Sequence, residues 1–88
     1  MRLDIYLAKA HILKSRSLAK DAVDAGMIYI NSRTAKAASS VKTEDIIEID
    51  IPRFYKKIRI LAIPPKNIKK EAVAGLYQLL EDRKKELL

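Results

Sequence analysis

The spacing of apolar residues changes at Gly26, and this change constrains the fold more than any other feature of the sequence. Before it, apolar side chains recur every three or four residues, as at Leu3, Leu7 and Ala10, which is the period of an α-helix. Gly26 stands where a helix C-cap needs a left-handed backbone conformation at low steric cost. After it, short runs alternate between apolar and polar residues, as β-strands do. We therefore expect helices first and a sheet second.

A second helix is predicted from about Arg16 to Ala25. Ser15 is a good N-cap because its hydroxyl can accept a hydrogen bond from an otherwise unpaired backbone N–H in the first turn. The apolar stripe of this helix would consist of Leu18, Ala22 and Ala25, with Ala19 and Val23 beside it. Its alanines are small enough to let another element approach closely.

Four β-favouring segments follow Gly26. They are Met27–Ile30, Arg33–Ala35, Ile46–Ile51 and Lys57–Ile63. The turn-prone pair Asn31-Ser32 separates the first two segments. Pro52 ends the third segment and Pro64 ends the fourth, because proline cannot donate to a sheet ladder.

Residues 68–86 are predicted to form a final helix, because Ala72, Leu76, Leu79 and Leu80 share one apolar stripe. Gly75 would weaken that helix by roughly 1 kcal/mol relative to alanine. The order of elements is that of an α+β domain, in which two N-terminal helices pack on a small β-sheet and a C-terminal helix follows. We expect one domain over residues 1–88, with its core motif at about 1–50 and the C-terminal strand and helix at about 57–86.

The positive charge of the chain is concentrated in its first half. The formal net charge is +7, and residues 1–42 hold eight basic and three acidic residues, whereas residues 43–63 hold four of each. A local positive field favours a phosphate backbone or, less often, an anionic membrane surface. The chain has no cysteine for a disulfide framework, no apolar run near the ~20 residues of a membrane span, and no signal-peptide pattern. A cytoplasmic nucleic-acid-binding protein is therefore expected.

Polar and basic residues are expected to meet at the junction of the two helices and the first hairpin. They are Arg2, Lys14, Ser15, Arg16, Lys20, Arg33 and Lys36. The start of the second helix already presents unpaired backbone N–H groups, which favour an anion. Arg16 would be the strongest member, because a guanidinium can grip a phosphate with two hydrogen bonds. The alternative interpretation is that each of these charged side chains is simply a solvated surface residue.

These residues belong to a spaced pattern that resembles the S-four RNA-binding domain. The pattern comprises Arg2-Leu3-Asp4, Leu7, Ser15-Arg16, Leu18-Ala19, the run Ala25–Asn31, Val41 and Asp45. It covers about residues 1–50. Such domains occur in a small-subunit ribosomal protein, in some pseudouridine synthases and in tyrosyl-tRNA synthetases.

A further resemblance, to the short ribosome-associated heat-shock proteins and their RqcP-type relatives, covers nearly the whole chain. It is carried by Ala35-Lys36, Leu61-Ala62, Ala72 and Leu76-Tyr77. This resemblance implies binding to the large ribosomal subunit when it carries stalled peptidyl-tRNA, in ribosome-associated quality control. It also implies contacts with 23S rRNA and tRNA, support for C-terminal tailing of the stalled nascent chain, and a tailing factor as a further partner.

Carried over to this sequence, the resemblance implies RNA contacts by Arg2, Lys14, Ser15, Arg16, Lys20 and Lys36. Asp4 is expected to orient the neighbouring arginine or a helix end, since its charge repels phosphate, and Asn31 is expected to shape the hairpin turn. The chain departs from the family at three positions: His11 replaces a frequent arginine, and Ser32 and Glu44 replace usual glycines. The substitution at Ser32 predicts a turn that is not of the tight Asn-Gly type.

Two other functional classes remain open. S-four domains often precede a pseudouridine synthase, but that chemistry needs a catalytic aspartate in a much larger second domain. We therefore expect no enzyme, no catalytic residue, no cofactor, no metal ligand and a monomer off the ribosome. The other class is a generic rRNA-, tRNA- or DNA-binding basic module without a role in stalled-ribosome rescue.

Three further residues are weighed for a role in binding. His11 lacks partners at ligand spacing, so we expect polar surface or RNA contact rather than a metal site. Phe54 and Tyr55 lie between two predicted strands, where an exposed aromatic ring could stack on a base, although aromatic residues are more often part of a core.

Overall fold

The computed structural model describes residues 1–64, 73 and 75–86. Its elements in chain order are helices α1 (Leu3–Lys9) and α2 (Arg16–Asp24) and strands β1 (Ile28–Ile30), β2 (Arg33–Thr34), β3 (Ile46–Ile51), β4 (Phe54–Ile60) and β5 (Tyr77–Lys84). The expected α+β class is confirmed. Neither helix in these ranges has the length and apolar content needed to span a membrane.

Helix α2 begins and ends where the local sequence predicts. The Ser15 hydroxyl oxygen accepts a hydrogen bond from the Leu18 backbone N–H at 3.1 Å, and Gly26 has a φ of +76°. The predicted apolar stripe was displaced, however, because Ala19 and Val23 are buried whereas Leu18 is 49% exposed. The helix thus turns its smaller side chains inward, which permits close packing against its neighbours.

The five strands form one antiparallel sheet in the order β2-β1-β3-β4-β5. Strands β1 and β2 join through a two-residue turn in which Asn31 has a φ of +50° and Ser32 a φ of +70°. Positive φ at both central residues is type I′ geometry, which matches the twist of a hairpin. The prediction of a turn that is not tight was therefore wrong, because Ser32 adopts the conformation that glycine adopts at low cost.

Strand β3 has the predicted bounds, whereas β4 spans Phe54–Ile60 instead of residues 57–63. The difference follows from pairing: the ladder with β3 continues to the pair Ile51 and Phe54, directly across the turn at Pro52 and Arg53. Strand alternation alone could not show how tightly this turn closes.

One face of the sheet and the two helices enclose the core. The side chains without exposed surface include Leu3, Tyr6, Leu7, Ala19, Ile28, Ile47, Ile49, Ile58 and Ile60. The Tyr6 hydroxyl donates a hydrogen bond to the Leu76 carbonyl oxygen at 2.9 Å, and burial raises the pKa of this hydroxyl well above its ordinary value. Helix α1 is thereby tied to the segment that enters β5.

The other face of the sheet carries charges of alternating sign across neighbouring strands. Lys57 of β4 lies between Glu48 of β3 and Glu81 of β5. The Tyr55 hydroxyl donates to Glu48 Oε2 at 2.7 Å, and the Arg83 guanidinium lies 4.6 Å from the centre of the Tyr55 ring. On this face Lys57 and Arg83 therefore lie beside acidic residues.

The predicted C-terminal helix was wrong over residues 77–84, which form β5. This strand pairs with β4 from Tyr77 opposite Ile60 to Lys84 opposite Phe54, with one register shift between Lys57 and Ile58. Without it, β4 would present a row of unpaired N–H and C=O groups. Pairing outweighs helix propensities, which differ by only up to about 0.7 kcal/mol per ordinary residue.

In the described part of the apolar stripe that suggested this helix, only Leu76 joins the core. Leu76 is buried, but Leu79 and Leu80 are 47% and 39% exposed. Positions 68–72 and 74 of the predicted helix lie outside the described residues.

Candidate nucleic-acid interface

Asp4 joins the two arginines that open the helices. Its side chain has no exposed surface, whereas the side chains of Arg2 and Arg16 are 42% and 57% exposed. Arg2 donates from Nε to Oδ1 and from Nη2 to Oδ2, each at 3.1 Å. Arg16 donates from Nε to Oδ2 at 3.4 Å. The expectation that Asp4 orients Arg2 is confirmed, and the same carboxylate also holds Arg16.

The surroundings of Asp4 favour its ionised form. Burial acts to raise its pKa, but hydrogen bonds from Arg2, from the Ile5 backbone N–H at 2.8 Å and from Arg16 outweigh burial and leave the pKa below its ordinary value. One carboxylate therefore balances one of two guanidinium charges. A net positive charge remains at the surface. It is carried by Arg2 and Arg16, which are both bound to the buried Asp4 carboxylate.

The loop after β2 lies against the start of α1. The Leu3 N–H donates to the Ser39 carbonyl oxygen at 2.8 Å, and Arg2 and Ser40 form an isolated antiparallel bridge. These backbone contacts bring the stretch that carries Lys36 to the side of α1 that carries Arg2. The sequence offers no local signal for this approach, since the two segments are more than thirty residues apart.

An open concavity of about 700 Å³ lies between this loop, α2 and the start of α1. Its charged lining residues are Arg2, Lys20, Asp24 and Lys36. Lys20 Nζ lies 3.2 Å from Asp24 Oδ2 within one helical turn, and such exposed pairs contribute little, so the lysine can move to a phosphate at small cost. Three cations and one carboxylate thus surround a space open to a phosphate backbone. We call Arg2, Arg16, Lys20 and Lys36 the basic face.

Ser15 lies beside the basic face but its hydroxyl oxygen already serves the helix. It accepts the Leu18 N–H as the N-cap of α2, which confirms the predicted cap. The predicted RNA contact of this residue stays a prediction.

Two predicted residues lie away from the concavity. Lys14 is exposed and lines a separate cleft on the other side of α2. Arg33 is exposed on β2, opposite Ile30 at the edge of the sheet, and is not among the residues that line the concavity. Of the seven predicted residues, Arg2, Lys20 and Lys36 line the concavity. Arg16 does not line it, but it shares the Asp4 carboxylate with Arg2.

The side chains of Asn31 and Asp45 bind each other at the turn of the first hairpin. Asn31 Nδ2 donates to Asp45 Oδ1 at 3.1 Å, and Asn31 Oδ1 accepts from the Ile46 N–H at 2.9 Å. Asp45 Oδ2 accepts from the Lys42 N–H at 3.0 Å. Asn31 therefore has the expected role in shaping the hairpin. The role of Asp45 was missed, although its position in the S-four pattern was visible.

His11 shapes the connection between the helices. Its φ is +58°, and its backbone N–H donates to the Ala8 carbonyl oxygen at 3.1 Å. Histidine is among the residues that enter this left-handed region more readily than most. The side chain is exposed and lines the same separate cleft as Lys14.

Comparison with protein families identifies the class. The family model of the S4 domain, the S-four domain of the sequence analysis, matches residues 1–47. This range contains both helices, the first hairpin and all four residues of the basic face.

Similar proteins cover nearly the full chain. It is 35% identical to a protein of Streptococcus pneumoniae over 98% of this chain and 97% of that protein, and 37% identical to one of Bacillus subtilis over 96% of each. Both carry the name RQC P-site tRNA stabilizing factor. The chain belongs to the S4 domain family and, within it, to the family of the RQC P-site tRNA stabilizing factors.

A solved structure agrees with the fold. The trimeric structure of Vibrio cholerae Heat Shock Protein 15 superposes with a TM-score of 0.81 at 30% sequence identity, and the match covers 90% of this chain and 80% of that one.

Proposed function

We propose that this protein binds structured RNA of the ribosome through the basic face. The observation that carries the proposal is the buried Asp4 carboxylate shared by Arg2 and Arg16. Side chains that are already held in position lose less conformational freedom on binding than free ones, so more of the phosphate attraction appears as affinity. A guanidinium that keeps part of its donor set exposed can still bind a phosphate oxygen.

The distribution of charge supports the same face. Phosphate contacts supply most of the affinity of sequence-independent nucleic-acid binding. The outer face of the sheet offers Lys57 and Arg83 only beside acidic neighbours. The basic face instead combines four cations with the carboxylates of Asp4 and Asp24.

We propose further that the bound RNA belongs to the large ribosomal subunit carrying stalled peptidyl-tRNA. The names of the relatives from Streptococcus pneumoniae and Bacillus subtilis support this target. In this role the protein contacts 23S rRNA and tRNA and supports C-terminal tailing of the stalled nascent chain, together with a tailing factor. It acts in the cytoplasm as one binding domain over residues 1–88 and as a monomer off the ribosome, without a catalytic step or a cofactor.

Replacing Arg16 by alanine tests the basic face. We expect Arg16→Ala to weaken binding of a folded rRNA fragment and of tRNA by roughly 1–3 kcal/mol, the range for loss of a charge-assisted contact. Fluorescence anisotropy measures the affinity. Arg83→Ala is the matched control, because Arg83 is also exposed and also paired with one carboxylate, that of Glu81, but lies on the outer face. Equal losses in both variants, or none for Arg16→Ala, would contradict the proposal.

Co-sedimentation with isolated large subunits tests the ribosomal target. More protein is expected with subunits that carry peptidyl-tRNA than with empty ones, and Arg16→Ala should reduce both amounts. Equal recovery with both would refute the preference for stalled subunits and leave RNA binding standing. A competition between structured RNA and duplex DNA of equal phosphate content completes the test, since equal competition would indicate a generic basic module.

A further inference from the structure

A second cleft, of about 430 Å³, lies on the other side of α2 from the basic face. Leu18 and Ala22 line it, whereas Lys20 and Asp24 line the concavity of the basic face. With 3.6 residues per turn, positions two apart point in nearly opposite directions. Helix α2 therefore separates two surfaces of different character.

The floor of this cleft is apolar. It includes Leu18 of α2, Ile51 at the end of β3 and Phe54 at the start of β4. Leu18 is 49% exposed, although it is a large aliphatic side chain on a helix that buries smaller ones. The Phe54 ring is half-buried and has Lys56 Nζ at 4.7 Å from its centre. A flat, apolar group can pack on a surface formed by these aliphatic side chains and the Phe54 ring.

The rim of the cleft is basic. Lys14 and Arg53 are exposed there, together with His11, and none of the described residues that line the cleft is acidic. The concavity of the basic face, in contrast, contains Asp24. The lining thus suits a ligand that joins a flat apolar group to anionic groups, as a nucleotide does.

We propose that this cleft receives one unpaired base of the bound RNA, with its flanking phosphates on Lys14 and Arg53. The proposal rests on the proposed function, and the basic lining without an acidic residue favours RNA as the occupant. Helix α2 is only about 10–12 Å across with its side chains, so one RNA can contact both of its sides. Phe54 and Leu18 provide the packing surface for the base, and stacking on an aromatic ring tolerates any base.

The test compares two RNAs that differ by one nucleotide. One is a blunt-ended, fully paired RNA duplex, and the other is the same duplex with a single unpaired adenosine inserted in one strand. Wild-type protein is expected to bind the second RNA at least about fivefold more tightly, the lower end of the effect of one stacked base. Leu18→Gln and Phe54→Leu are expected to bring this ratio close to one, because the first removes apolar floor and the second removes the aromatic surface.

Leu61→Gln is the matched control. Leu61 is 46% exposed and does not line the cleft, so the same substitution is expected to leave the ratio unchanged. A second measurement uses wild-type protein alone: the methyl resonances of Leu18 and Ile51 should shift with the bulged RNA and not with the paired one.

The outcomes separate this proposal from the proposed function. Equal binding of both RNAs by wild-type protein, or an equal effect of Leu61→Gln, overturns the base site and leaves RNA binding intact. Binding of neither RNA overturns both. Methyl shifts produced by an acidic apolar peptide, and not by the bulged RNA, overturn the base site in favour of a protein occupant.

Discussion

Asp4 is an acidic residue in a surface proposed to bind phosphate, and its burial explains how the two fit together. The carboxylate has no exposed surface and receives donors from Arg2, Arg16 and the Ile5 N–H. It therefore does not face the bound RNA, but sets the positions of the two arginines that do. Removing a negative charge here should accordingly harm binding.

Asp4→Asn is expected to weaken RNA binding even though it raises the net charge, because an amide cannot hold two guanidinium groups. The free energy of unfolding should also fall by about 1.5–3 kcal/mol, the range for hydrogen bonds to charged groups. Urea unfolding gives the stability, and anisotropy under conditions where the variant is folded gives the affinity. Tighter binding by the folded variant would show that Asp4 acts only as a repulsive charge.

The effect of Asp4→Asn on the unfolding free energy is expected to depend on pH. The folded-state pKa of Asp4 lies below the ordinary value of 3.8, so the unfolded chain takes up the proton first as the pH falls. The stabilisation by ionised Asp4 is thus fully present at neutral pH and is lost as the pH falls below 3.8 through the folded-state pKa. The difference in unfolding free energy between wild type and Asp4→Asn should shrink in that range, which urea titrations at several pH values can follow.

Glu44 occupies a backbone conformation that suits glycine. Its φ is +76°, its N–H donates to the Ile60 carbonyl oxygen at 2.8 Å, and left-handed residues other than glycine cost about 1–2 kcal/mol. Glu44→Gly should raise the unfolding free energy by up to about 1 kcal/mol, since glycine's greater freedom in the unfolded chain offsets part of the gain. Thr43→Gly is the control, because Thr43 is also exposed but has no positive φ. If both variants were destabilised equally, the positive φ of Glu44 would not be costing stability.

At the scale of elements, α2 depends on its N-cap. Ser15→Ala should lower the unfolding free energy by about 1 kcal/mol, whereas Ser15→Asn, which also caps well, should nearly preserve it. Ser17→Ala, one residue inside the helix, should be neutral or slightly stabilising. Urea unfolding of the three variants makes the comparison, and a loss for Ser17→Ala as large as that for Ser15→Ala would rule out a specific cap.

Strand β5 shows how pairing overrides local preference. Its residues include good helix formers such as Leu79, Leu80 and Glu81, and its side chains beyond Tyr77 are exposed. What this strand contributes is hydrogen bonding along β4 rather than a buried face. The hydrogen bond from Tyr6 to the Leu76 carbonyl oxygen then fixes the entry to the strand against α1.

At the scale of the whole molecule, charge is divided between two sides. The outer sheet face alternates in sign, whereas the basic face and the rim of the second cleft are mainly positive. The net charge of +7 does not say which side of the molecule binds RNA. The division of charge between the two sides does, because it favours binding of RNA on the basic side.

The salt dependence of binding shows how many phosphates are neutralised, and variants on each side of the molecule show which side neutralises them. If about four to six phosphates are neutralised, log K should fall with log salt concentration at a slope of roughly −3 to −5. The double variant Lys20→Gln and Lys36→Gln should make the slope shallower by about 1–2, whereas Lys57→Gln on the outer face should leave it unchanged. A flat salt response of the wild-type protein would argue against recognition of a phosphate backbone.

The candidate site was only partly accessible from the sequence. The four residues of the basic face could be named, because their charges and the S-four spacing are visible in the chain. Lys14 could be named as basic, but not as part of a different cleft. The sequence raised a stacking role for Phe54 but gave no sign of the cleft around it, since Leu18 in a helix with apolar spacing is interpreted as a core residue.

The sequence by itself determined the order of α1, α2 and β1 to β4, the cap at Ser15 and the stop at Gly26. These features depend on residues a few positions apart, and their energies act within one turn or one strand. The tertiary structure alone decided that Asp4 holds both arginines, that the loop with Lys36 joins them, and that residues 77–84 form a strand. Each of these depends on backbone groups or charges that only the folded chain brings within hydrogen-bonding distance.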